Sequence, residues 1–293
     1  MKPIFIILVI ISLFACKNNS ENKGQDIINE NLVEPVKNNE DNLINANEDI
    51  ELKKQESIII KQKELVEKED EKEELQELII GKSYQKDEDL YTIDFRYPLL
   101  NENLKESYVN FNEYINDYYV DITGTEAGIL EAKELLCDTI RTNRYREKRF
   151  IDYKIYNVND QLISVLFYKE NFYSGTLHPT YSFDCMNFDL NRSVFMNYED
   201  FFIDGSEEEL RSILNDVITS KINSGEMFYD CWKISEDDFF EYKDNFVLDD
   251  TSIEYYFDDC VVCPSYTGSY SVRIPLEELL PVLKRYGLNP LVF

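Results

Sequence analysis

The stretch IDYKIYNVNDQLISVLFYKENFYSGTLHPTYSFDCMNFDL, residues 151–190, decides the fold. Residues 151–156 and 161–168 are two extended runs rich in Ile, Val, Leu, Phe and Tyr. The turn-forming residues Asn157 to Asp160 separate them, which predicts a β-hairpin. One prominent loop follows, and a third extended run then goes from Tyr181 to Leu190. Toward the N-terminus, Tyr91, Ile93, Phe95 and Tyr97 alternate with polar residues and predict a half-buried strand that ends at Pro98. Leu104, Tyr108, Phe111, Ile115 and Ile122 follow helical spacing, and Ile129, Leu136 and Ile140 suggest a second helix with a basic end, Arg141 to Arg149. Toward the C-terminus, Ser206 and Glu209 read as a capping box ahead of Leu210, Leu214 and Ile218. Strands over 252–257 and 270–274 precede a short helix that starts at Pro275, a residue suited to the first helical position. Strands grouped between helices, without strict alternation, indicate an α+β fold with a mainly antiparallel sheet and packed helices.

A different kind of sequence precedes this region. Lys2 is followed by an apolar run from Ile4 to Ile11 and then by Ser12, Leu13, Phe14, Ala15 and Cys16. A basic tip, a short apolar core and a small residue before the cleavage point make a secretory signal over residues 1–15. The run is about half of the roughly 20 residues that a membrane-spanning helix needs. Leu13, Ala15 and Cys16 resemble a lipobox, with Phe14 standing where a small or branched residue is usual. That resemblance implies a diacylglycerol-modified Cys16 as the mature N-terminus. The protein is then expected in the cell envelope, attached to a membrane by lipid alone and outside the cytoplasm. Residues 17 to 46 are rich in Asn, Glu and Asp and have no aromatic residue, the composition of a disordered tether. Residues 47–80 are dominated by Glu, Lys, Gln and Leu, which predicts a charged, solvated helix capped by Gly81. The expected organisation is a signal peptide at 1–15, a lipidated tether and helical stalk at 16–80, a small α+β domain at 81–160 and a larger one at 161–293.

Acidic residues outnumber basic ones 58 to 30. Residues 81–293 carry a net −20, so the acidity belongs mainly to the globular part. Nucleic acid is a poor partner for such a surface, because affinity there rests on phosphate neutralisation by Lys and Arg. Cationic proteins and divalent cations are better matched, although acidity also keeps an exported protein soluble.

Catalytic motifs are scarce. His178 is the one histidine, so a two-histidine metalloprotease helix is excluded, and neither a G-x-S-x-G elbow nor a glycine-rich phosphate loop is present. His178 has the chemistry of a general base, a ligand or a contact residue; beside Gly175 and Pro179 it equally suits a loop-shaping role. No EF-hand spacing occurs among the many carboxylates. Cys260 and Cys263 form a C-x-x-C ahead of Pro264, without a helix N-terminus to stabilise a thiolate and without a second pair to complete a zinc site. Structural thiols or one local disulfide are expected there, with Cys137, Cys185 and Cys231 the other cysteines beyond Cys16. No cofactor, metal site or catalytic residue is expected.

Residues in the C-terminal half carry a family resemblance. Tyr173, Gly175, His178 and Pro179 are followed by Asn187-Phe188-Asp189, by Asp200-Phe201-Phe202 and by Asn245-Phe246-Val247-Leu248. Phe257, Pro264, Gly268 and Pro275 continue the pattern. In that order they resemble the extracytoplasmic domain of sigma-V-type anti-sigma factors, which also forms the non-catalytic N-terminal region of some peptidoglycan deacetylases. The stretch from Tyr91 through Pro98 to Asn103 resembles the small domain that precedes it. The resemblance implies an α+β fold and, from the anti-sigma branch, recognition of lysozyme. Tyr173, Gly175, His178, Pro179 and Tyr266 are the candidate binding residues. A binding module for lysozyme or another cationic protein is the leading expectation, with peptidoglycan as a further partner. A glycan-acting enzyme and a structural envelope component are the alternatives.

Overall fold

The computed structural model describes residues 77–135, 146–174, 176, 179–264, 267–268, 270–284, 289 and 291. Cys16, the signal sequence and the tether lie outside the described residues, as does the charged stretch up to residue 76. Cys137, Gly175, His178 and Tyr266 also lie outside them.

Residues 151–190 form the centre of a six-stranded sheet whose spatial order follows the chain. Its strands are β1 (Ile79–Asp87), β2 (Tyr91–Leu100), β3 (Glu147–Val158), β4 (Leu162–Phe172), β5 (Thr180–Asp189) and β6 (Val194–Met196). Every neighbouring pair is antiparallel except β2 and β3, which run parallel with Tyr91–Phe95 registered on Glu147–Ile151. A parallel pair needs a crossover, and helices between β2 and β3 supply it. The expected division at 160/161 falls in the turn of the β3–β4 hairpin, inside one continuous sheet.

β4 explains the layering. Its run Leu162–Tyr168 is buried throughout, because both faces of the strand are covered. Ile163, Val165 and Phe167 join one core with Tyr91, Ile93 and Phe95 of β2 and with Phe111 and Ile115 from the helices. On the other face, Leu166 and Tyr168 join Phe183, Val247 and Tyr270. Full burial of such side chains contributes roughly 1.5–3 kcal/mol each, which gives the alternation of β4 enough weight to set register on both sides.

The helical side is one coiled path with three hydrogen-bonding patterns: a 3-10 turn Glu106–Tyr108, α1 (Val109–Glu113) and a π-helical segment Tyr114–Val120. It stops at Asp121, whose φ is 32°. The Asp121 carboxylate accepts the Gly124 N–H at 2.9 Å and opens α2 (Ile122–Leu135). The expected single helix is therefore corrected. The wider π turn brings Val120 to the buried face where straight α spacing points to Ile122, and Leu104 stays 53% exposed.

The other side holds a three-stranded antiparallel sheet: β7 (Phe246–Leu248), β8 (Ser252–Tyr256) and β9 (Ser271–Pro275). Around it pack α3 (Tyr198–Phe201), α4 (Glu207–Ser224), α5 (Glu236–Tyr242) and α6 (Leu276–Leu279). α4 buries Leu210, Leu214 and Ile218 at four-residue spacing, and Gly225, at a φ of 80°, ends it. Asn245 ties the two sheets together. Its Oδ1 accepts the Cys185 N–H at 2.7 Å, while its Nδ2 donates to the carbonyls of Phe183 (2.7 Å) and Tyr256 (2.9 Å).

Several local expectations change. β2 continues through Pro98 to Leu100, because β3 pairs only as far as Phe95 and leaves that edge without need of an N–H. Gly81 lies inside β1 and caps no helix; a Cβ there would meet the Tyr153 hydroxyl at 3.1 Å. The basic stretch does not continue a helix to Arg149, since residues 147–149 open β3, where Arg149 meets Glu147 and Lys148 meets Glu170. Ser206 precedes α4 but closes no capping box, since its Oγ donates to the Ile203 carbonyl at 2.6 Å and shares a hydrogen bond with the Tyr198 hydroxyl. Pro275 is the last residue of β9 and the N-cap of α6. The disulfide joins Cys263 to Cys231, 32 residues away, and Cys260 is exposed in a left-handed turn at a φ of 65°. The Trp232 N–H donates to the Val262 carbonyl at 2.9 Å, which lays the two cysteine segments side by side. Among the described residues Cys185 is the other cysteine outside the disulfide, and burial pushes its thiol pKa up.

Candidate functional site

Two features of the surface differ in kind. The first is a cleft of about 440 Å³ between α2 and the helix-covered face of the six-stranded sheet. α2 turns a row of small residues to it, Gly124, Gly128 and Ala132, and the sheet contributes Glu147, Arg149, Ile151, Lys169 and Asn171. Glu147 is 3% exposed and Lys133 7%, yet both are charged and 3.8 Å apart. Arg149 Nη2 donates to the same carboxylate at 2.5 Å, so the buried anion has two cationic partners.

Aromatic rings line the cleft beside these charges. The Arg149 guanidinium carbon lies 4.1 Å from the Tyr173 ring centroid, and Arg149 Nη1 donates to the Phe172 carbonyl at 3.1 Å. On the neighbouring strand β4 the Lys169 ammonium sits 3.8 Å over the Tyr119 ring and 3.2 Å from Asp184. The Tyr119 hydroxyl donates to Asp184 at 2.8 Å. Burial, reinforced by the Asp184 charge, pushes the Tyr119 hydroxyl well above its ordinary pKa and keeps it a donor. Such cation–π contacts contribute about 0.5–2 kcal/mol each and hold both cations in place at the cleft.

The second feature lies on the side of the three-stranded sheet. Between α4 and α5 the chain reads Met227-Phe-Tyr-Asp-Cys-Trp232. Met227 and Cys231 are buried, while Phe228, Tyr229 and Trp232 are 50%, 83% and 40% exposed. Phe240 of α5 is exposed as well. The segment is fastened at several points: the Met227 N–H donates to the Lys221 carbonyl, Asn215 of α4 accepts the Ile234 N–H at 2.7 Å, and Cys231 is bonded to Cys263. Residues 226–242 hold six acidic residues and one basic one. Exposed aromatics thus stand on a fixed frame among carboxylates.

Of the residues singled out from the sequence, Tyr173 directly follows β4 and forms part of the cleft wall, and Pro179 directly precedes β5. The last registered pair between those strands, Asn171 with Thr180, holds the two close together. Gly175, His178 and Tyr266 fall outside the described residues. Sequence reasoning did not single out the 228–232 segment, although three aromatics in five residues around a cysteine are visible in it. Among the described residues there is no group of three or more His, Cys, Asp or Glu side chains placed to hold a metal ion. Also among them, no helix is long and apolar enough to cross a membrane.

No family model matches the chain. No curated protein matches it in sequence. Among solved structures it is similar to a DUF3298 family protein from Pseudomonas aeruginosa, with a TM-score of 0.50 and 12% identity over 70% of this chain and 93% of that one. It is also similar to a DUF3298 family member from Bacteroides fragilis, with a TM-score of 0.46 and 16% identity over 70% of this chain and 94% of that one. The likeness to the Pseudomonas protein is one of fold.

Proposed function

We propose that this chain is a cell-envelope lipoprotein that acts as a binding module for a cationic wall-active protein, with lysozyme as the leading partner, and that it binds rather than catalyses. The observation that carries the reading is the fastened segment from Phe228 to Trp232, which offers exposed aromatic side chains among six carboxylates and one lysine. Binding energy at protein interfaces concentrates in a few aromatic and arginine anchors. Charge complementarity mainly raises the association rate and excludes wrong partners. A net −20 over residues 81–293 suits a basic enzyme on both counts. The resemblance around Tyr173 to Asp189 points to the same partner, and Tyr173, His178, Pro179 and Tyr266 form a second set of candidate contacts. Membrane attachment rests on Cys16 and its lipobox-like surroundings; palmitate labelling of the wild type, lost in Cys16→Ala, is the expected outcome.

Surface plasmon resonance with lysozyme at about 0.15 M salt, where the Debye length is roughly 8 Å, tests the binding. The expected result is saturable binding, with an association rate that falls as salt rises. Replacing Phe228, Tyr229 and Trp232 together by Ala should weaken it at least tenfold, about 1.4 kcal/mol. An unrelated acidic protein serves as control for non-specific attraction. Absence of saturable binding sinks the proposal; loss of binding in Tyr173→Ala with the triple variant unaffected would move the contact to the loop between β4 and β5.

A further inference from the structure

We infer that Cys231, Cys260 and Cys263 form an exchange set: the Cys260 thiolate attacks the Cys231–Cys263 disulfide and releases Cys231, which gives the segment from Phe228 to Trp232 a fastened and a released state. The covalent step does not rest on the protein-binding reading; only its consequence for partner binding does.

The backbone gathers the three cysteines. Cys263 is bonded to Cys231 and follows Cys260 by three residues. The chain turns at Asp259 and Cys260, where the Val261 N–H points back to the Asp258 carbonyl, and bends again through Val261, Val262 and Cys263. That curl matters for the C-x-x-C spacing. Extended residues three apart lie roughly 10 Å from each other, beyond the roughly 7 Å over which two Cα atoms can be bridged. The Trp232 N–H donates to the Val262 carbonyl at 2.9 Å and keeps Cys231 beside the same curl. Exposure assigns the roles. Cys260 faces solvent, whereas Cys231 and Cys263 are buried, so the bond is screened from outside thiols and has a thiol three residues away.

The step balances within the chain. The Cys260 sulfur bonds to the Cys263 sulfur, the Cys231–Cys263 bond breaks, and Cys231 leaves as a thiolate that takes up the proton Cys260 gave up. Nothing is oxidised or reduced overall, so no outside reagent enters. The two isomers differ in what they hold. The Cys231–Cys263 link spans 32 residues and encloses α5, β7 and β8, while a Cys260–Cys263 link would close only the C-x-x-C turn. A cross-link constrains the chain more when its loop is longer, so the long link is the resting state. Exchange leaves Cys231 and Trp232 with their hydrogen bonds alone, which loosens the frame on which the exposed aromatics stand.

The test incubates the full-length protein in detergent at about pH 8, where exchange proceeds through thiolate, stops it in acid and maps the disulfides after peptic digestion. The wild type should yield a Cys260–Cys263 link together with a Cys231 thiol, at a rate independent of protein concentration. Trp232, the one tryptophan of the chain, directly follows Cys231, and its emission should rise in step as the quenching disulfide leaves. Cys260→Ser should slow release of the Cys231 thiol at least tenfold. In Cys231→Ser, oxidised glutathione should close Cys260–Cys263 in the folded protein. These readouts are covalent or optical, so they succeed or fail separately from lysozyme binding. Cys231–Cys263 as the sole link at all times in the wild type, release equally fast in Cys260→Ser, or a Cys231–Cys260 link in place of Cys260–Cys263, overturns the inference.

Discussion

The two faces of the six-stranded sheet are finished in opposite ways. On one, the three-stranded sheet closes down with aromatic rings: Phe183 lies 5.4 Å from Tyr256 and 5.2 Å from Tyr270, and Asn245 and Asn187 satisfy the backbone across the join. On the other, the helices cover only part of the sheet, and a cleft lined by the small residues of α2 and by paired charged side chains remains. Where packing is complete, contacts with a partner must be made on the outside, as the 228–232 segment makes them available. Where packing is incomplete, the molecule has an inside that a small ligand can reach.

The largest expected contrast is in stability. Phe246 is fully buried on the closed side, among Phe201, Phe202 and Tyr255. Phe246→Ala should cost about 3–5 kcal/mol in chemical denaturation. Gly128→Ala on the open side should cost nothing and gain up to about 1 kcal/mol through helix propensity. Equal losses at both positions would mean that the cleft is closed in solution. Next in size is the disulfide. Cys231→Ser with Cys263→Ser removes a cross-link over 32 residues, which in the chain-entropy model contributes about 3–4 kcal/mol. Its loss should lower the melting temperature and blunt partner binding at Trp232.

The smallest effect is a pH dependence at the join between the sheets. Burial pushes the Glu254 carboxyl up, but hydrogen bonds from Ser271 and Tyr156 and the charge of Arg273 outweigh it and hold the carboxyl below its ordinary value of 4.5. Ser271 donates to Glu254 at 2.7 Å, Arg273 at 3.3 Å, and the Tyr156 hydroxyl reaches it from β3. A carboxyl depressed by folding contributes stability that is complete above 4.5 and is lost as pH falls through the lower folded value. The stability difference between wild type and Glu254→Gln should therefore shrink in acid, as followed by thermal melts at stepped pH. A difference that stays constant through acid would mean that the carboxyl is not held by these partners.

The longer strands from β2 to β5 were legible in the sequence because each is a periodic local pattern, whereas β1 reads in sequence as the end of a helix and the three-residue β6 and β7 are too short to show a period. The β3–β4 hairpin needs only residues 151–168, and α4 needs only the spacing of Leu210, Leu214 and Ile218. The residues that carry the family resemblance prove to be mainly builders of the frame. Asp189 accepts the Asn191 and Arg192 N–H groups and turns the chain after β5, Asn187 donates to the Phe246 carbonyl, and Asn245 stitches the sheets. They identify an architecture more directly than a ligand. The cleft could not be read in this way. Its charged residues, Lys133, Glu147, Arg149 and Lys169, come from one helix and two strands, and only the parallel pairing of β2 with β3 across the crossover brings α2 over them. The π-helical turn that sets Val120 inward and the pairing of Cys231 with Cys263 depend in the same way on neighbours distant in sequence.

The most direct test of the binding reading is one set of calorimetric titrations, in which lysozyme is titrated at about 0.15 M salt into wild type, Trp232→Ala and Gly128→Leu. Trp232→Ala should weaken the binding at least tenfold, and Gly128→Leu, on the opposite face of the sheet, should leave it unchanged. Absence of saturable binding to the wild type, or equal weakening by both variants while they remain folded, would contradict the reading.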